Sequence, residues 1–243
     1  MFETDTLLIM AAIILIASVV KGLTGFGFAL TSLPLLSIFI APKTAVPIIT
    51  ICSVFLDGYT LYDARKHVQY KEIITLVVSG ITGMILGTYF LVSLDSQIIR
   101  LVIGIVTALF TIASMMGVKR EISNTRLASI PVGLLSGVMG GTISISGPPI
   151  VLFFNNQNVE KKVFRANLIA YFFLYFATVP AYFFGNLITL ELLQSSAVMV
   201  PVMFLGATMG IRLSKKIDET VFKRITLLLI LVTGVMAILT SFS

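Results

Sequence analysis

A group of hydroxyls inside a helix-breaking segment is the part of this sequence best suited to hold a ligand. Thr142, Ser144 and Ser146 alternate with isoleucines. In an extended backbone their hydroxyls point to one side and form a polar stripe. The residues that would break a helix around it are Gly140, Gly141, Gly147, Pro148 and Pro149. We predict that the stripe binds substrate, together with the backbone at Gly140, Gly141 and Gly147, because glycines let the backbone come close to a ligand. For each hydroxyl the alternative is a bond to a local carbonyl that lets membrane helices pack closely.

A second interruption occurs near the start of the chain, within Lys21-Gly-Leu-Thr-Gly-Phe-Gly. Its candidate substrate-binding residues are Lys21, Thr24, Gly25, Phe26, Gly27, Thr31 and Ser32. Proline suits the first turn of a helix because its φ is preset and no N–H is lost there. Pro34, Pro148 and Pro149 are therefore predicted to open two returning half-helices. The free N–H groups and positive dipole ends of such helices attract an anion.

Three charged residues accompany these interruptions. Lys21 would lie deep in a membrane, where it faces the anion or extends its ammonium to an interface. Arg165 would line the inner vestibule, or serve only to orient the protein. Asp57 is the carboxylate farthest from any segment end, so it would carry a coupling proton or pair with a neighbouring Lys or Tyr.

The amino-acid composition indicates whether the protein folds in water or in a membrane. Hydrophobic residues make up 57% of the 243 residues and charged residues 12%, with a mean hydropathy of +1.05. A soluble domain is about half apolar and a quarter charged, so we expect an integral membrane protein. The opening segment has no basic n-region and is expected to be retained. One cysteine, Cys52, and one histidine, His67, leave little for a metal site or an enzyme, and we predict neither, with no cofactor.

The chain contains two related units. Four residues of the first interruption, Gly22, Gly25, Pro34 and Leu35, match residues 115 positions later, and Gly83-x3-Gly87 matches Gly206-x3-Gly210 123 positions later. We predict a first repeat, 1–118, with hairpin 7–40 and helices 44–63, 72–93 and 98–117. The second repeat, 127–243, has hairpin 127–156 and helices 163–184, 190–211 and 220–241. The fold class is all-α, in one membrane domain.

Positive charge decides whether each long opening segment crosses the membrane. If both are broken hairpins that return to their own side, fourteen of sixteen loop and end charges lie on one face. If both cross, the division is ten to six. The positive-inside rule therefore favours re-entrant hairpins, with basic loops in the cytoplasm and both termini outside. One hairpin plus three spans is an odd number of crossings, so the two repeats are inverted, as in many secondary transporters.

With these motifs in view, the chain resembles the sulfite exporter TauE/SafE family of membrane permeases. Gly22-Leu-Thr-Gly-Phe-Gly is similar to the first family motif, and Gly137-x-x-Gly-Gly with the later Pro148-Pro149 and Phe164-Arg165-Ala166 to the second. In the first motif, Gly25-Phe26-Gly27 stands where family members often carry three glycines. The resemblance implies export of sulfite, an organosulfonate or another organic anion across the cytoplasmic membrane.

We therefore predict a secondary transporter that exports a small anion by alternating access around a site between the two hairpins. The alternatives are a passive anion channel, a transporter of a different small organic anion, and a non-transporting accessory protein. The expected partners are the anion and the lipid bilayer, with a homodimer left open. The net charge of +6 lies mostly in short loops, where it orients a membrane protein, so no nucleic acid is expected.

Overall fold

The computed structural model describes residues 3–116, 125–155, 157, 160–213, 228, 231–232, 234–239 and 241, and these residues form helices and turns without a strand. The helices in the described ranges are α1 Thr4–Thr24, α2 Phe28–Phe39, α3 Pro42–Ala64, α4 Tyr70–Ser93, α5 Ser96–Met115, α6 Thr125–Ile143, α7 Gly147–Asn155, α8 Lys161–Phe173, α9 Thr178–Phe184 and α10 Leu190–Leu213. Two 3-10 turns, Arg65–His67 and Leu174–Ala177, follow α3 and join α8 to α9.

Seven stretches in the described part of the chain are long and apolar enough to cross a membrane. They are α1, most of α3, α4, α5, α6, the stretch Lys162–Phe184 and α10. Two helices are shorter, α2 with 12 residues and α7 with 9. At 1.5 Å per residue, α2 is about 18 Å long and α7 about 14 Å, so neither alone spans a hydrocarbon core of about 30 Å. Outward faces stay apolar, and Ile85 and Tyr89 are each 66% exposed, as suits contact with lipid.

A three-residue break separates α1 from α2. Gly25 and Gly27 adopt φ values of 83° and 92°, a region open to glycine because no Cβ meets the neighbouring carbonyl. These glycines end α1 at Thr24 and start α2 at Phe28. Pro34 lies inside α2, so the prediction that it opens the returning helix is wrong. The glycines turn the chain before the proline is reached.

The second break lies between α6 and α7. Pro148 and Pro149 occupy the first turn of α7, which begins at Gly147. Thr142 still belongs to α6, which ends at Ile143. The predicted extended stripe of three hydroxyls is therefore wrong at its first member. Helical hydrogen bonding continues one residue beyond Thr142, and only two of the three hydroxyls lie in the non-helical link.

Two helix pairs pack through small residues, α1 with α10 and α4 with α6. A Cβ added to Gly210 would overlap the backbone of Val19, and one added to Gly87 would overlap that of Val138. Glycine at such points lets two helix backbones approach with no side chain between them. In each pair, the helix that precedes a break, α1 or α6, packs against a helix from the other half of the chain.

The contacts of these two pairs correspond residue by residue. Gly206 contacts Leu15, and Gly83 contacts Leu134. The two glycines are 123 positions apart, whereas the two leucines are 119 positions apart. The same spacing of 119 relates Val19 to Val138. The sequence match at 115 is therefore shifted by four residues from the match in three dimensions, which is about one helical turn. Similar glycine-rich faces therefore recur at both spacings, 115 in the sequence motifs and 119 in the helix contacts.

The last predicted helix, 220–241, lies largely outside the described residues. Positions of this range that are described between 228 and 239 are helical. One of them, Gly234, lies against Thr107 of α5: a Cβ there would be 3.0 Å from Thr107 Cγ2. Thus this end of the chain contacts α5.

Candidate functional site

The two breaks line one cavity. Its wall contains Phe26 to Leu30 from the first break and α2, and Ser144 to Gly147 from the second break. α3 contributes Thr50, Ser53 and Asp57, and Lys21 of α1 and Phe172 of α8 complete the lining. The cavity has a volume of about 40 Å³. One buried water needs a cavity volume of about 10–15 Å³, so a group of a few heavy atoms fits.

An ion pair forms part of the wall. The Lys21 ammonium donates a hydrogen bond to Asp57 Oδ1. Lys21 is 4% exposed and Asp57 1%, so each charge is removed from bulk solvent and compensated mainly by the other. The ammonium also lies 5.4 Å from the centre of the Phe172 ring, within the range of a cation–π contact. Lys21 and Asp57, two residues singled out in the sequence for different roles, thus act on one another.

The start of α2 presents backbone donors to the cavity. Thr31 N–H donates to Gly27 O at 2.9 Å, which is the first turn of the helical ladder. The N–H groups of Phe28, Ala29 and Leu30 come before it, and the helix supplies no acceptor for them. All three residues line the cavity. The positive end of the α2 dipole therefore faces the same space as the Lys21 ammonium.

The two serines of the second break have different surroundings. Ser144 Oγ shares a hydrogen bond with Thr50 Oγ1 and lies 3.2 Å from Val46 O, which it reaches as a donor. The Ser146 hydroxyl has no hydrogen bond to another described residue, and this residue lines the cavity. Ser146 is thus the better placed of the two to bind a ligand, whereas Ser144 braces the break against α3.

Hydrogen bonds from neighbouring helices hold the second break. Ser136 Oγ of α6 donates to Ser146 O at 2.6 Å, and Tyr171 OH of α8 donates to Ser136 Oγ at 3.0 Å. Tyr182 OH of α9 donates to Gly141 O at 2.9 Å. These bonds fix the positions of backbone carbonyls on both sides of the break, where the backbone leaves helical form at membrane depth. The break is therefore a supported bend with a fixed direction.

Several sequence-predicted site residues lie outside the cavity wall. Thr24 Oγ1 accepts the Phe26 N–H at 3.2 Å and closes the first break as a local turn. Ser32 Oγ donates to Phe28 O, and Thr142 Oγ1 to Gly87 O at 3.0 Å. Four others, Gly25, Thr31, Gly140 and Gly141, also line no part of it. Their hydrogen bonds and packing support the breaks.

Arg165 lies behind the first break. Its Nη2 donates to Gly22 O at 3.1 Å, near the end of α1. Its Cγ would be 3.0 Å from a Cβ added to Gly25. A cation at a helix C-terminus is favourable because the last carbonyls carry partial negative charge. The side chain is positioned to stabilise the end of α1.

Sequence reasoning missed the polar side of α3 and the ring of Phe172. Thr50, Ser53 and Asp57 occur at i, i+3 and i+7, which places them on one helix face. That spacing inside an apolar helix was a usable signal for two further wall residues. Phe172 gave no such signal, because a phenylalanine in an apolar helix is usual. Among the described residues, no group of three or more His, Cys, Asp or Glu could hold a metal ion.

A bundle of membrane-length apolar helices around a polar cavity defines a multi-pass integral membrane protein. The particular family follows from a family model, sulfite exporter TauE/SafE, which matches residues 10–237. The chain belongs to this family, which confirms the resemblance predicted from its two glycine motifs. Its members are transporters rather than enzymes, so membership implies export of a small anion such as sulfite. No curated protein and no solved structure matches the chain.

Proposed function

We propose that this protein is a secondary transporter that exports sulfite or an organosulfonate through the cavity between the two breaks. The observation that carries the proposal is that both breaks, far apart in sequence, line one small polar cavity. Backbone leaves helical form at membrane depth only where protein or a water-filled cavity covers it. Two such interruptions at one cavity are expected for a substrate site.

The chemistry of the wall favours an anion. Lys21 brings a positive charge, and the first turn of α2 brings N–H donors and a positive dipole end. The hydroxyls of Ser53 and Ser146 are free of hydrogen bonds to other described residues and can donate to oxygens of a sulfite or sulfonate group. Asp57 opposes these donors by its charge, but the Lys21 ammonium already compensates it.

The pairing of helices supports transport by alternating access. The α1/α10 pair carries the first break and the α4/α6 pair carries the second, and the contacts in the two pairs correspond. Two similar bodies that face each other across a site can exchange equivalent conformations. We propose that they are inverted repeats, and that the moving bodies are these helix pairs. Each pair combines elements from both halves of the chain.

One hydrogen bond supports the re-entrant topology. Gln69 N–H, just after the basic turn Arg65–His67, donates to Asn167 Oδ1 at 2.8 Å. Asn167 lies in the second turn of α8, close to the basic residues that begin this helix. If both opening segments crossed the membrane, these two basic regions would lie on opposite sides. We propose that both are cytoplasmic in the cell membrane, with both termini outside.

Cysteine accessibility tests the topology. α1 and α6 are each long enough to cross alone, so the all-crossing arrangement is the one to exclude. In a background with Cys52 replaced, single cysteines at Lys66 and Lys162 should react with a membrane-impermeant maleimide from the cytoplasmic side. Reaction of these two sites from opposite sides would show that the second hairpin does not return to its own side.

Counterflow tests the function. Proteoliposomes loaded with unlabelled sulfite should transiently accumulate labelled sulfite, whereas a passive channel gives no such overshoot. Thermal-shift measurements with sulfite, sulfate, thiosulfate, taurine, sulfoacetate and carboxylates would identify the preferred anion. The exposed Lys162→Gln variant provides a matched control for surface charge. Folded protein that neither binds nor exchanges any of these anions would exclude the proposed function.

A further inference from the structure

The ion pair in the cavity wall is placed where the substrate must bind. Lys21 is the charged donor among the described residues of the wall, and Asp57 Oδ1 already accepts its hydrogen bond. An anion that enters the cavity reaches the ammonium beside a carboxylate of the same charge as itself. At membrane depth two negative groups next to one ammonium leave one of them uncompensated, which is strongly unfavourable for a buried charge.

Among the described residues, the surroundings of Asp57 offer no second cation. From α1 it meets Lys21, and from α8 the nearest wall residue is the uncharged Phe172. Arg165 of α8 donates to the Gly22 carbonyl, and Tyr182 of α9 to the Gly141 carbonyl. In the described residues, α2, α5, α6 and α10 bring no charged or titratable group into an ion pair or hydrogen bond with Asp57. A carboxylate that loses Lys21 here is relieved of its charge only by a proton.

We propose that the substrate anion and Asp57 compete for Lys21, so that anion binding puts one proton on Asp57 and both are carried together. This inference rests on the proposed transport function. In the empty state the pair is Lys21⁺ and Asp57⁻. In the loaded state, Lys21⁺ binds the anion and Asp57 holds a proton taken from solution. The one bond formed is the O–H bond of the protonated Asp57 carboxyl, no bond of the anion changes, and one proton accompanies each anion.

The charge balance gives the cycle a definite electrical character. With a monovalent anion such as hydrogensulfite, the empty and loaded sites have the same net charge. Transport is then electroneutral, and flux responds to the pH gradient rather than to the membrane potential. The anion leaves the cell as long as the product of anion and proton concentrations is higher inside than outside. A cytosolic anion that accumulates would thereby drive its own export.

The two partners of the pair should respond in opposite directions to substitution. Lys21→Gln removes the anion's ligand and should weaken sulfite binding about tenfold or more. Asp57→Asn removes the competitor and should tighten sulfite binding at about pH 8 by about tenfold or more. A pair with only a structural role would give weaker binding in both variants.

The pH dependence provides the decisive measurement. We would titrate purified protein with sulfite between about pH 5.5 and 8 and take the ratio of the wild-type Kd to the Asp57→Asn Kd at each pH. The protonation of sulfite itself cancels in this ratio. The ratio should approach one at low pH and rise by up to about tenfold per pH unit at higher pH. Exposed Asp5→Asn, the matched control, should keep the ratio to wild type constant.

A measurement on the wild-type protein covers the case in which Asp57→Asn does not fold. Infrared difference spectra on addition of sulfite should show a new C=O stretching band of a protonated carboxylic acid. A pH-independent ratio, or a wild-type spectrum without this band, overturns the inference even if counterflow is present. Failure of folded wild-type protein to bind or exchange sulfite and the other anions instead overturns the proposed function.

Discussion

Each break turns the chain through a left-handed residue, but the type of residue differs, and the first break has a second such residue, Gly27. At the first, Gly25 takes φ 83° and no side chain fills the space, since Arg165 lies there. At the second, Ser144 takes φ 52°, and its hydroxyl bonds to Thr50 of α3. Ser144 follows Gly25 by 119 positions, the spacing that relates the packing of α1 to that of α6. Both positions thus adopt a left-handed backbone. Gly25 does so because it has no side chain, and Ser144 does so with a side chain that forms a hydrogen bond.

The charge of the cavity is also divided unequally between the breaks. The first carries Lys21, which pairs with Asp57, whereas the second brings only hydroxyl and backbone groups. This difference indicates that the first break provides most of the attraction for an anion and the second its orientation.

Among substitutions outside the ion pair of Lys21 and Asp57, the largest effect is expected within the second break, between its two serines. Ser146→Ala should weaken sulfite binding by about 1.5–3 kcal/mol, roughly tenfold or more, because its free hydroxyl faces the cavity. Ser144→Ala should change the affinity much less, since that hydroxyl is already bonded to Thr50. Isothermal titration of both folded variants checks this. Equal losses would mean that Ser144 also contacts the anion.

An exchange of residues between the breaks should affect stability asymmetrically. Gly25→Ser places a Cβ at φ 83° and 3.0 Å from Arg165 Cγ, so we expect a loss of about 1–2 kcal/mol. Ser144→Gly relieves the left-handed backbone but loses the bond to Thr50, and the two effects should nearly cancel. Thermal unfolding in detergent gives the comparison. Similar melting temperatures for Gly25→Ser and wild type would show that the first break can accommodate a side chain.

A smaller effect is expected from Arg165, which supports the first break from behind. Arg165→Gln should lower stability by about 1 kcal/mol through the lost bond to the Gly22 carbonyl, with little change in sulfite affinity. Lys162→Gln on the same helix serves as the control. A large loss of affinity at unchanged stability would instead show that Arg165 lines the substrate pathway, as the sequence predicts.

The smallest effect concerns Thr31, which is fully buried and whose Oγ1 has no hydrogen-bond partner among the described residues. Thr31→Val keeps the shape and removes an unpaired polar atom, so stability should change by less than about 1 kcal/mol or rise. Sulfite affinity should stay at the wild-type value. Weaker binding in the titration would show that this hydroxyl reaches the anion when the cavity is occupied.

Sequence alone determined the membrane class, the family and the positions of both interruptions. These rest on local properties: apolar stretches of membrane length, and glycine or proline clusters that cannot continue a helix. Local rules also failed in specific places. Pro34 was assigned to a helix start because proline is favoured there, but Gly25 and Gly27 turn the chain earlier.

Only the tertiary structure decided which residues share the cavity. The sequence identifies Lys21 and Asp57 separately, but their pairing depends on how the fold places the end of α1 relative to α3. The roles of Ser144 and Ser146, two residues apart, depend on whether α3 supplies a partner. Such contacts join side chains that are distant along the chain, so helical periodicity does not predict them. Periodicity determines on which face of its helix a residue lies, and the packing between helices determines which residues that face contacts.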